Sequence, residues 1–182
     1  MKRIFGSALL LLLPLVVSCG GRGSEAASGA DSLSLAAPAA EKGPAADPLN
    51  QQQYEAEIDG HRYEVSLRRY ADREGGVVRN EMGEDSYDNC VEMNIMRDGS
   101  AFKAKTFTKS DFHDFLSDTD RAVSVLQGMT FVNADDKGLH FAAQVGERDT
   151  DGGMAFIVTV GTDGVVDIVR DYNQDTTGSA AE

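Results

Sequence analysis

The chain has no tryptophan, only two cysteines and three histidines, and far fewer basic than acidic side chains. Two cysteines cannot build the disulfide framework typical of small secreted proteins. With 17 Lys and Arg against 30 Asp and Glu, the net charge is −13 and the pI is near 4.5. Phosphate binding needs clustered cations, so this composition argues against nucleic acid as a partner.

The 182 residues are 41% hydrophobic, which is too apolar for a wholly disordered chain and sufficient for one globular domain with extensions. The sequence contains no His-Glu-x-x-His, Cys-x-x-Cys or Gly-x-Ser-x-Gly motif and no glycine loop of the kind that binds phosphate. It therefore predicts no enzyme, no cofactor, and neither catalytic nor metal-binding residues.

The N-terminus has the form of an export signal. Lys2 and Arg3 precede an apolar run over 8–17 that contains six leucines, two valines and Pro14. About 20 apolar residues are needed to cross the hydrocarbon core of a bilayer. A run about half that long, and interrupted by a proline, predicts a cleaved signal peptide rather than a spanning helix.

The segment Leu15-Val16-Val17-Ser18-Cys19 resembles the lipobox of bacterial lipoprotein signal peptides. The resemblance implies acylation of Cys19, with about 0.8 kcal/mol of membrane affinity for each buried methylene. An ordinary signal peptide with an unrelated cysteine is the alternative. The next residues, 20–23, lack both the aspartate of inner-membrane retention and the acidic cluster of surface display. They imply an outer-membrane lipoprotein of the cell envelope that faces the periplasm.

The sequence divides into a signal peptide (1–18), a lipidated cysteine with a flexible tether (19–52), an antiparallel β domain (53–172) and an acidic tail (173–182). The tether is rich in Ala, Gly, Ser and Pro, and its flexible part would reach roughly 30 Å. Removal of the two basic residues of the signal peptide brings the net charge to −15. Such a surface avoids anionic lipid heads, so the acyl chains on Cys19 are the expected membrane contact.

Beyond the tether, alternating polar and apolar residues are interrupted by Asp-Gly pairs, the strongest short-range signal for β-hairpins. The first two hairpins are predicted to turn at Asp59-Gly60 and at Asp98-Gly99. In the second hairpin, the alternation turns Lys103 and Lys105 to solvent.

Over 109–127 the apolar period changes to about 3.6 residues, which predicts a helical insert with Ser110 as its cap. Strands resume after Gly128, and the segment 154–160 is apolar on both faces, so we expect the insert to cover its second face. Residues 72–88 are predicted to form a long charged loop. The predicted fold is mainly β (α+β): an antiparallel meander of about eight strands in a curved sheet or partial barrel, with the helical insert packed on one face.

Few residues suggest chemistry. Cys90 would be the remaining thiol once Cys19 is acylated, and its acidic neighbours predict a structural cysteine rather than a nucleophile. His61, His113 and His140 are too scattered for a local metal site.

The C-terminal tail partly resembles a calcium loop. Asp171, Asn173 and Asp175 occupy its first, third and fifth positions, but Thr176 stands where that loop needs glycine. The sequence therefore favours an acidic terminus over a calcium site.

Three short motifs, Tyr87-Asp88-Asn89, Lys109-x-x-Phe112 and Gly128-Met129-x-Phe131, occur together with the lipobox and the tether. This combination resembles small lipoproteins of unknown function from anaerobic Bacteroides-type bacteria, over about residues 54–171. The resemblance implies a compartment and a fold, and it carries no catalytic residues.

The favoured function is a membrane-anchored, non-catalytic binding or interaction module of the envelope, with an envelope protein or a small ligand as its partner. One alternative is a lipocalin-like carrier that binds an apolar ligand between Phe102, Phe131, Phe141 and Phe156. The other is a hydrolase built from carboxylates. A cavity under the sheet would favour the carrier, and a cleft with facing carboxylates and perturbed pKa values would favour the hydrolase.

Overall fold

The computed structural model describes residues 43–150 and 152–173. Cys19, the signal peptide and Asp175 of the calcium-like loop lie outside the described residues. Within them the chain forms eight strands, a 3-10 helix and one α-helix. The elements are β1 (Asn50–Ile58), β2 (His61–Arg79), β3 (Asp85–Arg97), β4 (Ser100–Phe107), the 3-10 helix (Lys109–Phe115), α1 (Asp118–Val123), β5 (Val125–Asp135), β6 (Gly138–Gly146), β7 (Met154–Gly161) and β8 (Val166–Arg170).

The strands form two antiparallel sheets, a first sheet in the order β1-β2-β3-β4 and a second in the order β5-β6-β7-β8. Each strand pairs with its neighbour in sequence, so the predicted meander of about eight strands is confirmed. The helical segment separates the two sheets along the chain. Both sheets keep their edges, and the described strands do not close into a barrel.

The two predicted Asp-Gly turns are confirmed. Asp59 and Gly60 have φ values of 51° and 77°, and Asp98 and Gly99 have 52° and 76°. Positive φ at both central residues defines the tight hairpin turn whose twist matches that of the flanking strands.

The two sheets share one hydrophobic core. Large side chains with almost no exposed surface come from both sheets and from the 3-10 helix: Tyr63, Met93, Phe107, Phe112, Leu126, Leu139, Phe141 and Phe156. Burial of each apolar side chain of this size contributes about 1.5–3 kcal/mol relative to exposure. Neither sheet buries its apolar face without the other.

The helical insert is shorter than predicted. The 3-10 helix and α1 together end at Val123, and residues 125–127, predicted to be helical, begin β5. Thr108, rather than Ser110, precedes the 3-10 helix, and its N–H donates to the Asp111 carboxylate at 2.8 Å. Within the described ranges, no helix is long and apolar enough to cross a membrane.

The insert packs on one face of the second sheet, as predicted, and it is the face that carries Phe156. The rings of Phe112 and Phe115 lie 4.8 and 5.5 Å from the ring of Phe156. Phe156 shares its face with the fully buried Val158, whereas Ile157 points to the other side of the sheet. The expectation that the insert covers the second face of 154–160 is therefore wrong, because its aromatic rings fill the space between the sheets.

Residues 72–88 are not a loop. β2 and β3 continue into them as an arm (73–87), in which 77–79 pair with 85–87 after a register shift between Asp72 and Val77, and 80–84 connect the two strands at the tip. The exposed ion pair of Arg79 with Asp85 joins the two strands near the tip, at 2.7 and 2.8 Å. The β-forming valines and cross-strand pairs of this segment outweigh its charge and glycine content.

The prediction that the side chains of Lys103 and Lys105 point to solvent on the outer side of the sheet is wrong. They pair with Ile95 and Met93, and therefore lie on the core side of the first sheet. A β-bulge after Ile95 shifts the alternation by one residue, which reverses the face of the residues that follow. Lys105 bonds to Asp111 at 2.7 Å instead.

Candidate functional site

Cys90 is a buried thiol in β3, with 7% of its surface exposed. Burial, together with the nearby Asp72 carboxylate, raises the pKa of this thiol to about 11. A thiol with such a pKa is protonated at neutral pH, so it does not supply the thiolate that nucleophilic chemistry needs.

The three histidines lie apart and each has its own carboxylate neighbour. His61 bonds to Asp98 at 2.6 Å beside the first turns, and His140 bonds to Asp135 at 2.8 Å on the second sheet. In 43–150 and 152–173, no three His, Cys, Asp or Glu side chains are grouped closely enough to hold a metal ion. Asp171 accepts a hydrogen bond from the N–H of Asn173 at 3.0 Å.

Two of the short sequence motifs meet in a polar network between the sheets. Asp88 accepts a hydrogen bond from the Leu126 N–H at 2.8 Å and lies 3.3 Å from Nζ of Lys109. The side-chain amide of Asn89 donates to the Leu126 carbonyl and to Asp47, both at 2.9 Å. These contacts join β3, the 3-10 helix and the start of β5, so the motif residues position secondary structure.

Asp47 is the centre of this network. Its carboxylate lies 2.9 Å from Arg148 and 3.5 Å from Arg69, and its side chain is 14% exposed. Arg69 also donates to the carbonyl of Gln127 at 2.7 Å. A partly buried carboxylate with several donors holds its position far better than an exposed ion pair does.

Asp47 belongs to a strap (43–49) that runs beside β3 before β1 begins. The Ala45 N–H donates to the Asp85 carbonyl, and the Ala45 carbonyl accepts from the Tyr87 N–H, each at 2.8 Å. These two bonds form a parallel bridge between the strap and β3. Residues 43–52, which the sequence assigned to the tether, therefore contact the β domain.

The outer face of the second sheet, defined as the side chains opposite the core residues Phe141, Phe156 and Val158, consists of three cross-strand rows. At its β5 end, Oγ1 of Thr130 lies 3.0 Å from the hydroxyl of Tyr54 on β1. From β5 to β8 the rows are Gly128, Gln144, Ala155 and Asp171; Thr130, Ala142, Ile157 and Val169; and Asn133, His140, Thr159 and Asp167. The middle row is mostly apolar, and Val169 is 44% exposed. Beside it, Val132 bulges from β5 and is 60% exposed. Apolar surface of this kind is typical of a contact site.

In one polar row a hydroxyl lies beside an imidazole, and that imidazole also contacts a carboxylate at the end of β5. His140 lies 3.0 Å from Oγ1 of Thr159 through Nδ1 and 2.8 Å from Asp135 through Nε2. Hydrolytic triads use this order of groups. Thr159, however, lies within β7, whose N–H groups bond to β6 and β8 and so do not point at a common oxyanion position. The arrangement is a cross-strand contact.

The four phenylalanines of the carrier hypothesis do not enclose a cavity. Phe141 and Phe156 are fully buried, Phe131 packs on Phe141 with ring centroids 5.7 Å apart, and Phe102 packs on Tyr63 at 5.5 Å. The space that a lipocalin-like ligand would need is filled by side chains.

Among the described carboxyls whose pKa is shifted, none has the raised pKa that the general acid of a hydrolase needs. A cleft of about 440 Å³ between the arm, α1 and the β6–β7 loop contains Glu81, Asp120 and Glu147. Asp120 caps α1, where it accepts from the Ser117 N–H at 3.2 Å. The pKa of the Asp135 carboxyl is lowered by its hydrogen bond with His140, which is the reverse of what a general acid needs.

The fold and this surface define a two-sheet antiparallel β domain with an exposed, partly apolar sheet face. Residues 32–168 match the family described as a domain of unknown function, DUF4738, and the chain belongs to that family. No curated protein matches the chain. Membership of a family of unknown function assigns no activity, and the match includes the strap and most of β8.

Two features escaped sequence reasoning. The Ala- and Pro-rich composition of the strap is typical of a flexible tether, so its contacts with the β domain were not predicted. Asp47 lies in this segment between Pro44 and Pro48. The outer face did leave a signal, because 154–160 is apolar on both sides. That pattern predicted a cover, whereas the described residues leave the second side of β7 open.

Proposed function

We propose that this protein is a lipoprotein of the cell envelope that acts as a membrane-anchored interaction module, with the outer face of its second sheet as the binding surface. The observation that carries the proposal is the Leu15–Cys19 segment, which ends a short export signal at a cysteine. Acyl chains on Cys19 would supply the membrane contact, and the net charge of −15 would keep the rest of the chain off anionic lipid heads.

The binding role is supported by the outer face. Val132 and Val169 are exposed aliphatic side chains on the two edge strands of this sheet, and the half-buried Ala142 and Ile157 lie between them. Apolar surface of this kind is suited to contact with another molecule. The resemblance to small Bacteroides-type lipoproteins supports the same compartment, and the residues after Cys19 favour the outer membrane facing the periplasm.

Metabolic labelling tests the anchor. Cells that express the chain are grown with labelled palmitate, and the wild type is compared with Cys19→Ala and with Cys90→Ala as the matched cysteine control. The wild type and Cys90→Ala should carry label and enter the detergent phase, and Cys19→Ala should do neither. An unlabelled wild type, or equal partition of all three proteins, would sink the proposal.

Protease access tests the orientation. The predicted tether contains trypsin sites at Arg22 and Lys42. A protein facing the periplasm should resist trypsin on intact cells and be released once the outer membrane is permeabilised. Cleavage on intact cells would place it on the cell surface instead.

A further inference from the structure

We propose that the free edge of β8 binds an extended segment of a partner protein whose outward side chains alternate basic, aliphatic and basic. This inference rests on the proposed function, since it names the partner chemistry of the same surface.

The backbone of β8 provides the hydrogen-bonding part of this site. The Asp171 N–H and the Val165 carbonyl both bond to β7, at 2.8 Å. Because backbone groups alternate in direction along an antiparallel strand, those of Val166 and Ile168 point away from β7. β8 is the last strand of its sheet, and no described strand pairs with this edge. An edge of this kind is a template for strand addition.

The side chains of β8 specify what the added strand would carry. Its outward residues are Asp167 and Val169, both exposed, and Asp171 follows on the same side directly after the strand ends. Residues directly opposite each other on neighbouring strands contact one another, so opposite charges and aliphatic pairs are favourable there. Lys or Arg would therefore lie opposite each aspartate, and Val, Ile or Leu opposite Val169. The added strand continues the antiparallel pairing of the sheet, so the residues on either side of the valine, one of which faces Ile168, bond to the edge of β8.

Charge argues against a second copy of this chain as the occupant. If two β8 strands paired antiparallel about Ile168, each Asp167 would face a valine and gain no cation. Both copies would also carry the same strongly negative net charge. A partner with cationic outward side chains gains two opposite-charge pairs and avoids this repulsion.

A defined peptide tests the site. The full chain carrying Cys19→Ala is labelled with ¹⁵N and titrated with acetyl-Thr-Lys-Thr-Val-Thr-Lys-Thr-amide at low salt. Saturable amide shifts are expected at Val166, Ile168 and their neighbours. One control peptide replaces Lys by Glu, and it should bind roughly threefold more weakly or worse. A second control is N-methylated at the threonines beside the valine, and it should lose the shifts because it cannot pair with the edge.

A charge reversal tests the residue assignment. Asp167→Lys should weaken the Lys peptide by roughly threefold or more and favour the Glu peptide. The matched control is Glu57→Lys, an exposed residue on β1, the edge strand of the first sheet, and it should leave the affinity unchanged.

Three results would overturn the inference: shifts that map to another surface, an N-methylated peptide that binds as tightly as its parent, or self-association of the chain through β8 in sedimentation without peptide. The chain used here lacks Cys19, so a failure of acylation would defeat the proposed anchor and leave the peptide result standing. Conversely, a labelled anchor with no peptide binding would defeat the β8 inference alone.

Discussion

At the scale of single residues, the perturbed carboxyls serve as hydrogen-bond acceptors. His61 lowers the pKa of the Asp98 carboxyl, and His140 lowers that of Asp135, each mainly through a side-chain hydrogen bond. Asp98 lies within a hairpin turn, Asp135 directly precedes one, and both also accept bonds from backbone N–H groups. These residues hold turns in place, so their ionisation is coupled to folding.

Asp135→Asn should reduce the loss of stability in acid. A carboxyl whose pKa is lowered by folding contributes stability above its unfolded value of 3.8, and loses that contribution as the pH falls through the lower folded value. Asparagine does not titrate, so the free energy of unfolding should differ less between about pH 6 and about pH 3 in the variant than in the wild type. Urea unfolding followed by circular dichroism measures this difference, and an equal dependence in both proteins would contradict the prediction.

At the scale of elements, features that depend on adjacent residues could be predicted from the sequence, whereas features that depend on long-range packing could not. The Asp-Gly turns followed from two adjacent residues that tolerate positive φ, so both were predicted. The bulge after Ile95 and the pairing of the arm depend on the opposite strand, and neither leaves a local signal. The apolar character of the outer face was predicted, because the pattern of 154–160 is local. Its exposure was not predicted, because the position of the insert is set by aromatic packing with Phe156.

The two faces of β7 should differ in their tolerance of truncation. Phe156→Ala removes a buried ring that contacts two rings of the insert, so it should cost about 3–5 kcal/mol of unfolding free energy. Ile157→Ala, one position along and on the outer face, is the matched control and should cost markedly less. Chemical denaturation measures both variants. A larger loss for Ile157→Ala would mean that the described core side is wrong.

Asp47→Ala should detach the strap. Removal of the Asp47 carboxylate leaves Arg69 and Arg148 without their shared partner, which should lower the free energy of unfolding by about 1–3 kcal/mol. Hydrogen exchange at the Tyr87 N–H, which bonds to the strap, should accelerate more than exchange at the centre of β3. Arg79→Ala, which breaks the exposed pair with Asp85, is the control and should leave Tyr87 protected.

At the scale of the whole molecule, both sheets should unfold together, because one core contains residues from each. The chain has no tryptophan, and four of its five tyrosines lie in the first sheet, at positions 54, 63, 70 and 87. The tyrosine band of the near-ultraviolet circular dichroism spectrum therefore reports mainly on the first sheet.

Leu139→Ala, in β6 of the second sheet, should lower the Tm seen by these tyrosines as much as the Tm seen in the far ultraviolet. The substitution empties a buried site and should cost about 2–5 kcal/mol. Separate transitions for the two signals would show that the sheets melt independently.

The direction of the strap has a mechanical consequence. It runs parallel to β3, and its bonds at Ala45 and Asp47 lie across that direction. Tension drawn from the N-terminal side would load these bonds together, in shear, instead of peeling them open in turn. The contact between the strap and β3 would therefore resist such tension, and the force would be transmitted to the two sheets before the strap detached.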